Sequence, residues 1–156
     1  MKKTFRILTG AAIALLLSGC AGRPAITDIK SFHFSYQVGN YMNGSVSYEL
    51  KLQDDGSYLA TVKPNQVAEE QADRYVVDKA FADELAAFLR EHKVQRWNGF
   101  QKSNKHVLDG NGFSFLLWTT EGKNISASGY MRWPRGYDEV KAGIEAIFAK
   151  LGGSKS

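Results

Sequence analysis

Two arginines flank a tryptophan in the stretch of the chain whose residue types are most suited to binding chemistry. Arg132 and Arg135 carry guanidinium groups, which bind carboxylates and phosphates through paired hydrogen bonds, and Trp133 offers an aromatic face between them. A second tryptophan, Trp97, opens a polar loop that also contains lysines. Together these residues could bind an anion, a glycan or an acidic headgroup. The sequence favours the alternative interpretation, a strand-to-helix connection with solvated arginines and a tryptophan that covers the core.

A possible acid–base pair lies in the same polar loop. His106 and Asp109 are three residues apart, and Ser103 or Ser114 could add a hydroxyl nucleophile. Such a set would make the protein a hydrolase acting on cell-wall or lipid material. The glycine pattern of a nucleophile elbow does not accompany these residues. The sequence therefore gives the hydrolase as the alternative function, and it favours a non-enzymatic protein.

The residues that could hold a metal do not form a recognisable set. Residues 109–112 read Asp-Gly-Asn-Gly, which is typical of a tight turn; a calcium loop would need further oxygen ligands and a distal glutamate in register. His33, His92 and His106 fall on separate predicted elements, and Cys20 is the only cysteine. We predict no metal and no cofactor.

The N-terminus has the three parts of a bacterial export signal. Basic residues precede an apolar run at positions 7–17, which is about half the ~20 residues that span a bilayer. Residues 17–20, Leu-Ser-Gly-Cys, resemble the lipobox of bacterial lipoproteins. That resemblance implies cleavage before Cys20, a diacylglycerol thioether on its sulfur and acylation, for example by palmitate, of the new amino group.

This signal also predicts the cellular location and the net charge of the mature chain. Residue 21 is alanine, and the lipoprotein pattern reserves aspartate there for retention in the inner membrane, so a host with two membranes implies the periplasmic face of the outer membrane. The whole chain has 20 basic and 16 acidic residues, and the signal holds three of the bases. The mature chain is left with 17 against 16, a balance that gives no electrostatic support for a nucleic-acid partner.

The remaining chain predicts one α+β domain at residues 29–151, after a lipidated tether at 20–28 and before a flexible tail at 152–156. Alternation of apolar and polar residues predicts strands, and apolar residues at helical spacing predict two helices. We expect one antiparallel sheet of about five strands with both helices packed on one face. The predicted strands are 31–38, 46–53, 58–63, 111–120 and 123–130. The first helix runs from 78 to about 92, and the second follows the chain break at Pro134 and Gly136, with its apolar stripe at 140–151.

The last predicted hairpin positions the candidate site. The loop with Trp97 and Asp109 enters this hairpin, and the segment with Arg132, Trp133 and Arg135 leaves it. In an antiparallel hairpin these two points lie side by side, opposite the turn. We therefore expect all five residues within reach of one another, either as an exposed binding patch or as an ion pair between Asp109 and an arginine.

Four short motifs in this region resemble a widespread family of uncharacterised bacterial lipoprotein domains. They are Trp-Asn-Gly-Phe at 97–100, Val-Leu-Asp-Gly at 107–110, Gly129 and Trp-Pro at 133–134. The likeness covers about residues 29–150. It departs at Phe113, because the family pattern has a tryptophan two or three residues after Asp-Gly. It implies a fold and no substrate. We expect a membrane-anchored envelope module, binding or structural, whose partner is an envelope protein, a glycan or an anionic ligand.

Overall fold

The computed structural model describes residues 22–37, 44–107 and 110–153. Within these residues the protein is an α+β domain with a mostly antiparallel sheet and two α-helices, as the sequence predicted. The spatial order of the strands is β4-β3-β2-β1-β6-β7-β5, and only the β5–β7 pair is parallel. The elements are β1 Ile29–Gln37, β2 Ser45–Leu52, β3 Tyr58–Lys63, β4 Asp73–Val77, α1 Lys79–Glu91, β5 Phe100–Ser103, β6 Gly112–Thr119, β7 Asn124–Tyr130 and α2 Tyr137–Gly152.

The described sheet has seven strands, two more than the sequence patterns indicate. The additional strands are β4 and β5, which lie at the two edges. The sequence patterns leave residues 64–76 as a loop with possible extended structure and the segment after Trp97 as a polar loop. Both strands are short, and β5 carries exposed polar residues such as Gln101 and Lys102. Edge strands have one neighbour and need little apolar alternation, and charged side chains on them discourage pairing with other chains.

Helix α1 begins where its capping residue predicts. The backbone N–H of Phe81 donates to Oδ1 of Asp78 at 3.2 Å, which satisfies one of the free amide groups of the first turn. The helix ends at Glu91, and Lys93 then adopts a left-handed backbone with φ 56° that turns the chain away. The buried face of α1 consists of Ala82, Leu85, Ala86 and Leu89.

Both helices cover the same face of the sheet, as expected from the sequence. Phe148 of α2 stacks on Phe32 of β1 with ring centroids 6.2 Å apart and meets Phe81 of α1 edge-on at 5.3 Å. The helices themselves approach so closely that a Cβ on Gly143 would overlap the ring of Phe88. A single aromatic-rich core therefore links the inner face of the sheet to α1 and α2.

The outer face of the sheet carries polar residues with a few exposed apolar ones. His33 Nδ1 and Glu49 Oε1 lie 3.0 Å apart across β1 and β2. Leu116 and Trp118 of β6 also point to this side, and Trp118 is 40 % exposed. Strand β6 carries apolar residues on both of its sides and lies inside the sheet, between β1 and β7.

Two predicted site residues, Cys20 and Asp109, lie outside the described residues, as do the signal peptide and the end of the tail. The predicted lipid attachment and the predicted ion pair of Asp109 therefore stay predictions. Neither helix in the described part of the chain combines the length and apolar content that crossing a bilayer requires.

Candidate functional site

A cleft of about 740 Å³ opens beside β5, between the end of α1 and the connection from β7 to α2. Four basic side chains and three aromatic ones contribute to its wall, and the described residues that line it include no acidic one. We call it the basic cleft. Its lining residues are His92, Lys93, Arg96, Trp97, Phe100, Lys102, Trp133, Pro134, Arg135 and Gly136.

A tight chain reversal after β7 brings the arginine-rich segment to this cleft. The backbone N–H of Met131 donates to the carbonyl of Asn111 at 2.8 Å, and Met131 itself has a left-handed backbone with φ 51°. The chain then folds back over Gly129, where a Cβ would overlap the carbonyl oxygen of Arg132. Glycine is needed at position 129 because the backbone passes directly over it.

Trp97 forms the inner wall of the basic cleft and belongs to the core. Its indole is 3 % exposed and meets the rings of Phe113 and Phe115 edge-on, with centroids 6.1 and 5.6 Å away. Its Nε1–H donates to the backbone carbonyl of Arg135 at 3.1 Å. The sequence considered an exposed floor made of both Trp97 and Trp133; the burial of Trp97 corrects this, because the loop with Arg135 closes over its ring.

Trp133 is the aromatic side chain that the basic cleft presents to solvent. It is 41 % exposed, and its ring centroid lies 6.3 Å from that of Tyr137 at the start of α2. Trp133 thus contacts the core through Tyr137, while part of its indole is exposed to solvent. An indole in this position can stack on a flat or apolar group and can donate one hydrogen bond.

The basic side chains around Trp133 are exposed and have no carboxylate partner in the described part of the chain. The ion pairs found there use other residues, and Lys102 Nζ lies over the ring of Phe100 at 5.5 Å. Clustered cations without counter-charges raise the local positive potential and attract anions. The residues concerned are Lys93, Arg96, Lys102, Arg132 and Arg135.

A shallower depression of about 540 Å³ continues the basic cleft along the edge of β5. Arg132 lies here, and it shares this depression with Lys102 and Trp133, which also line the main cleft. The structure therefore brings Trp97, Arg132, Trp133 and Arg135 to one region, as the hairpin argument predicted.

The sequence analysis missed Lys93 and Arg96, which occupy the turn between α1 and β5. In the sequence they look like ordinary solvated residues after a helix, and only the tertiary structure brings them to the cleft that Arg135 also lines. One feature of the sequence could have indicated these two residues. Lys93 and Arg96 lie within four positions of Trp97, so basic side chains are close in the chain to a core tryptophan. Lys105, one of the lysines of the polar loop that begins at Trp97, is exposed and does not line the basic cleft.

The alternative hydrolase residues are not found in the basic cleft. His106 is exposed, and its backbone N–H donates to Oδ1 of Asn104 at 3.2 Å. Asp109 lies outside the described residues, so the pairing of these two side chains stays a prediction. Among the described residues, His, Asp and Glu side chains nowhere gather in a group of three that could hold a metal ion.

A second polar cluster joins β1 to α2 and is satisfied internally. Tyr36 Oη donates to Glu145, whose Oε1 also lies 2.9 Å from Lys141 Nζ. The ammonium of Lys141 sits 4.3 Å from the centroid of the Tyr36 ring. Burial, followed by the hydrogen bond to Glu145, raises the pKa of Tyr36 well above its usual value of 10.0. We read this cluster as structural, because its members satisfy one another.

No protein-family model matches the chain, and no curated protein matches it either. The resemblance to uncharacterised lipoprotein domains therefore stays a prediction from the motifs.

Proposed function

We propose that the protein is a cell-envelope lipoprotein, held at a membrane by lipid on Cys20, whose domain binds an anionic ligand in the basic cleft without transforming it. The observation that carries this proposal is the group of exposed basic side chains without carboxylate partners in the described chain, gathered around Trp133. In a host with two membranes, the alanine after Cys20 favours the outer membrane.

The chemistry of the cleft suits an anion better than a neutral ligand. Arg96 and Arg135 can each offer two parallel N–H donors to a carboxylate or phosphate, and Lys102 adds a point charge. These cations repel one another when the cleft is empty. A bound anion would relieve that repulsion, while Trp133 would contact the less polar part of the same ligand.

The anchor can be tested by the intact mass of the purified mature protein. We expect a chain that starts at Cys20 and carries the mass of a diacylglycerol group and an acyl chain. A Cys20→Ser variant should not acquire this mass and should accumulate unprocessed. A mature chain with a different first residue, or with an unmodified cysteine, would contradict the proposed anchor.

Anion binding can be measured through the fluorescence of Trp133 in detergent-solubilised mature protein. A Trp118→Phe background removes the other exposed indole, and inorganic phosphate and pyrophosphate serve as probes. Each arginine that forms a charge-assisted hydrogen bond contributes enough that its loss weakens binding about tenfold or more. We expect this loss for Arg96→Gln and Arg135→Gln.

Lys51→Gln is the matched control, because Lys51 is an exposed cation in β2, away from the basic cleft. It removes one positive charge from the protein and should leave the phosphate affinity almost unchanged. Equal losses for Arg135→Gln and Lys51→Gln would show that only net charge matters. That result, or no saturable binding of either probe, would overturn the basic cleft as a binding site.

A further inference from the structure

We infer that one end of the outer face of the sheet rests on the membrane that anchors the protein, with the indole of Trp118 in the lipid headgroup region. The inference rests on one part of the proposed function, the lipid on Cys20, and it is independent of the ligand of the basic cleft. It adds a contact surface, which we call the tether-end patch. The apolar residues of this patch are Val76, Leu116 and Trp118.

The tether joins the sheet beside Trp118. The backbone carbonyl of Asp28 accepts a hydrogen bond from the backbone N–H of Thr120 at 2.9 Å. Ser31 is the partner of Trp118 in the pairing of β1 with β6. Trp133 follows β7 at the other end of the same hairpin. The tether therefore holds the end of the sheet that carries Trp118, and Trp133 lies at the opposite end.

The tether is too short to let this end of the sheet move far from the membrane. Ile26 is buried, and it lies six positions after Cys20. A fully extended chain of that length reaches about 20–22 Å, whereas a strand of nine residues such as β1 is about 30 Å long. Lipid on Cys20 therefore keeps the tether end of the sheet within a distance of the membrane that is shorter than β1.

Exposed apolar side chains are concentrated at this end of the outer face. The strand registers align a first row of outward-facing residues there, across six strands. This row contains Val76, Leu59, Lys51, Ser31, Trp118 and Asn124. Val76 is 77 % exposed and Trp118 is 40 % exposed, and Leu116 lies in the next row. Four large apolar residues are exposed in the described part of the chain; three belong to this patch, and the fourth is Trp133.

The outer face becomes polar with distance from the tether. Its third row contains Lys63, Ser47, Ser35, Ser114, Ser128 and Gln101. Single apolar residues scattered over a surface need no explanation, whereas a group of them indicates an interaction site. Because the exposed apolar residues of this face gather at the end that the lipid anchors, the membrane surface is the partner that they fit.

A lipid surface fits the tether-end patch better than a second protein does. Tryptophan prefers the headgroup region of a membrane, and exposed lysines such as Lys30 and Lys51 suit acidic headgroups. A stable protein interface buries about 800 Å² on each partner and has an apolar centre. Here the polar residues Ser31 and Lys51 lie between Val76 and Trp118. The anchor also keeps lipid at a high effective concentration, so a small contact area is sufficient.

The test compares the two exposed indoles in acylated mature protein on vesicles. Trp133→Phe leaves Trp118 as the exposed indole, and Trp118→Phe leaves Trp133, which is 41 % exposed against 40 %. The double variant gives the signal of the buried Trp97, which is subtracted. The vesicles consist of phosphatidylcholine, either unmodified or brominated near the headgroup end of the acyl chains, because bromine quenches indole fluorescence at short range. We expect bromination to lower the fluorescence of Trp118 about twofold and to leave that of Trp133 unchanged.

Variants of the patch test whether its apolar residues cause this contact. In the Trp133→Phe background, Leu116→Asn should reduce the bromine quenching of Trp118 by about half, because it removes an apolar side chain from the contact. Ser114→Asn is the matched control, since Ser114 faces the same side of β6 one row further from the tether. It should leave the quenching unchanged. Val76→Thr, a nearly isosteric change at the edge of the sheet, should act like Leu116→Asn.

Three results would overturn the inference. One is equal quenching of Trp118 and Trp133 by brominated lipid. Another is an equal effect of Leu116→Asn and Ser114→Asn. The third is protection of Trp118 from acrylamide on vesicles without quenching by brominated lipid, because a second copy or another protein would then cover the patch.

The failure of this inference can be distinguished from failure of the proposed function. An intact mass that shows lipid on Cys20, without quenching of Trp118 by brominated lipid, would leave the anchor and overturn the orientation. Protein that has no lipid on Cys20 and does not bind vesicles would contradict both proposals. Phosphate binding in the basic cleft is measured through Trp133 in detergent and does not depend on either result.

Discussion

The indole Nε1–H of Trp97 donates to the backbone carbonyl of Arg135 at 3.1 Å and so joins two segments that are 38 residues apart in the chain. The same indole packs against Phe113 and Phe115 of the central strand β6. One side chain therefore connects the core to the loop that carries the exposed arginines. The position of the basic cleft depends on this contact, because the loop has no regular secondary structure of its own.

Trp97→Phe should lower the free energy of unfolding by about 2 kcal/mol, because it removes a buried hydrogen bond and leaves a void in the core. Trp133→Phe is the matched control and should change stability by about 0.5 kcal/mol or less, since Trp133 is half-exposed. Urea unfolding followed by circular dichroism measures both. Similar midpoints for the two variants would show that Trp97 does not support the core in this way.

Gly143→Ala should destabilise the protein by about 1–3 kcal/mol, because the added methyl group overlaps the ring of Phe88 where α1 and α2 meet. Gly152→Ala, in the same helix, meets no atom within 4 Å and should be neutral or stabilising by up to about 1 kcal/mol. Opposite signs in thermal unfolding would support the close approach of the helices. A second substitution, Phe88→Leu, should recover part of the stability lost in Gly143→Ala.

Asp78→Ala should cost about 1 kcal/mol, because the amide of Phe81 loses its capping acceptor at the start of α1. Asp83→Ala removes a carboxylate of the same charge from the exposed pair with Lys79 and should cost only about 0.3–0.5 kcal/mol. The two variants are compared by their urea unfolding midpoints, provided that the dependence of the unfolding free energy on urea concentration is the same in both. A larger loss for Asp83→Ala would contradict the assignment of the cap.

Stability should decrease as the pH rises above about 10, because an unfolded tyrosine releases its proton near that pH. Burial and the hydrogen bond to Glu145 raise the pKa of Tyr36, so its hydroxyl stays protonated in the folded protein. Its contribution is complete below pH ~10 and is lost as the pH rises towards the higher folded value. Burial also raises the pKa of Tyr48 and Tyr58, which act in the same direction.

Tyr36→Phe should therefore lose stability less steeply above pH ~10, by up to about 1.4 kcal/mol per pH unit. Urea midpoints measured from neutral pH to pH ~11 in the original protein and in this variant give the two slopes. The same slope in both proteins would show that Tyr36 is not protected from ionisation by folding.

Strand alternation and helical spacing were sufficient to predict the α+β class and the face on which the core lies. In β6, for example, Phe113 and Phe115 are buried while Ser114 and Leu116 point outwards, as the alternation requires. Such patterns are local, because a period of two or 3.6 is determined by the backbone of the element itself. The capping role of Asp78 is equally local and could be predicted in the same way.

The edge strands β4 and β5 could not be predicted, because a short strand with one paired side needs no clear pattern of its own. Asp73–Val77 and Phe100–Ser103 become strands since β3 and β7 present free edges to them. Whether a side chain on β4 or β5 is buried depends on how the strand pairs with its neighbour, and not on the type of the residue. Short edge strands of this kind are determined by tertiary contacts.

The sequence by itself predicts the lipoprotein signal around Cys20, and from a single hairpin it predicted that the segments carrying Trp97 and Trp133 are adjacent. Only the tertiary structure decided that Trp97 is buried while Trp133 is exposed, and that Lys93 and Arg96 converge with Arg135. The physical reason is that exposure and local potential depend on what packs nearby in space. Arg96 and Arg135 are 39 positions apart and both contribute, and a local sequence pattern cannot indicate that such distant residues are neighbours.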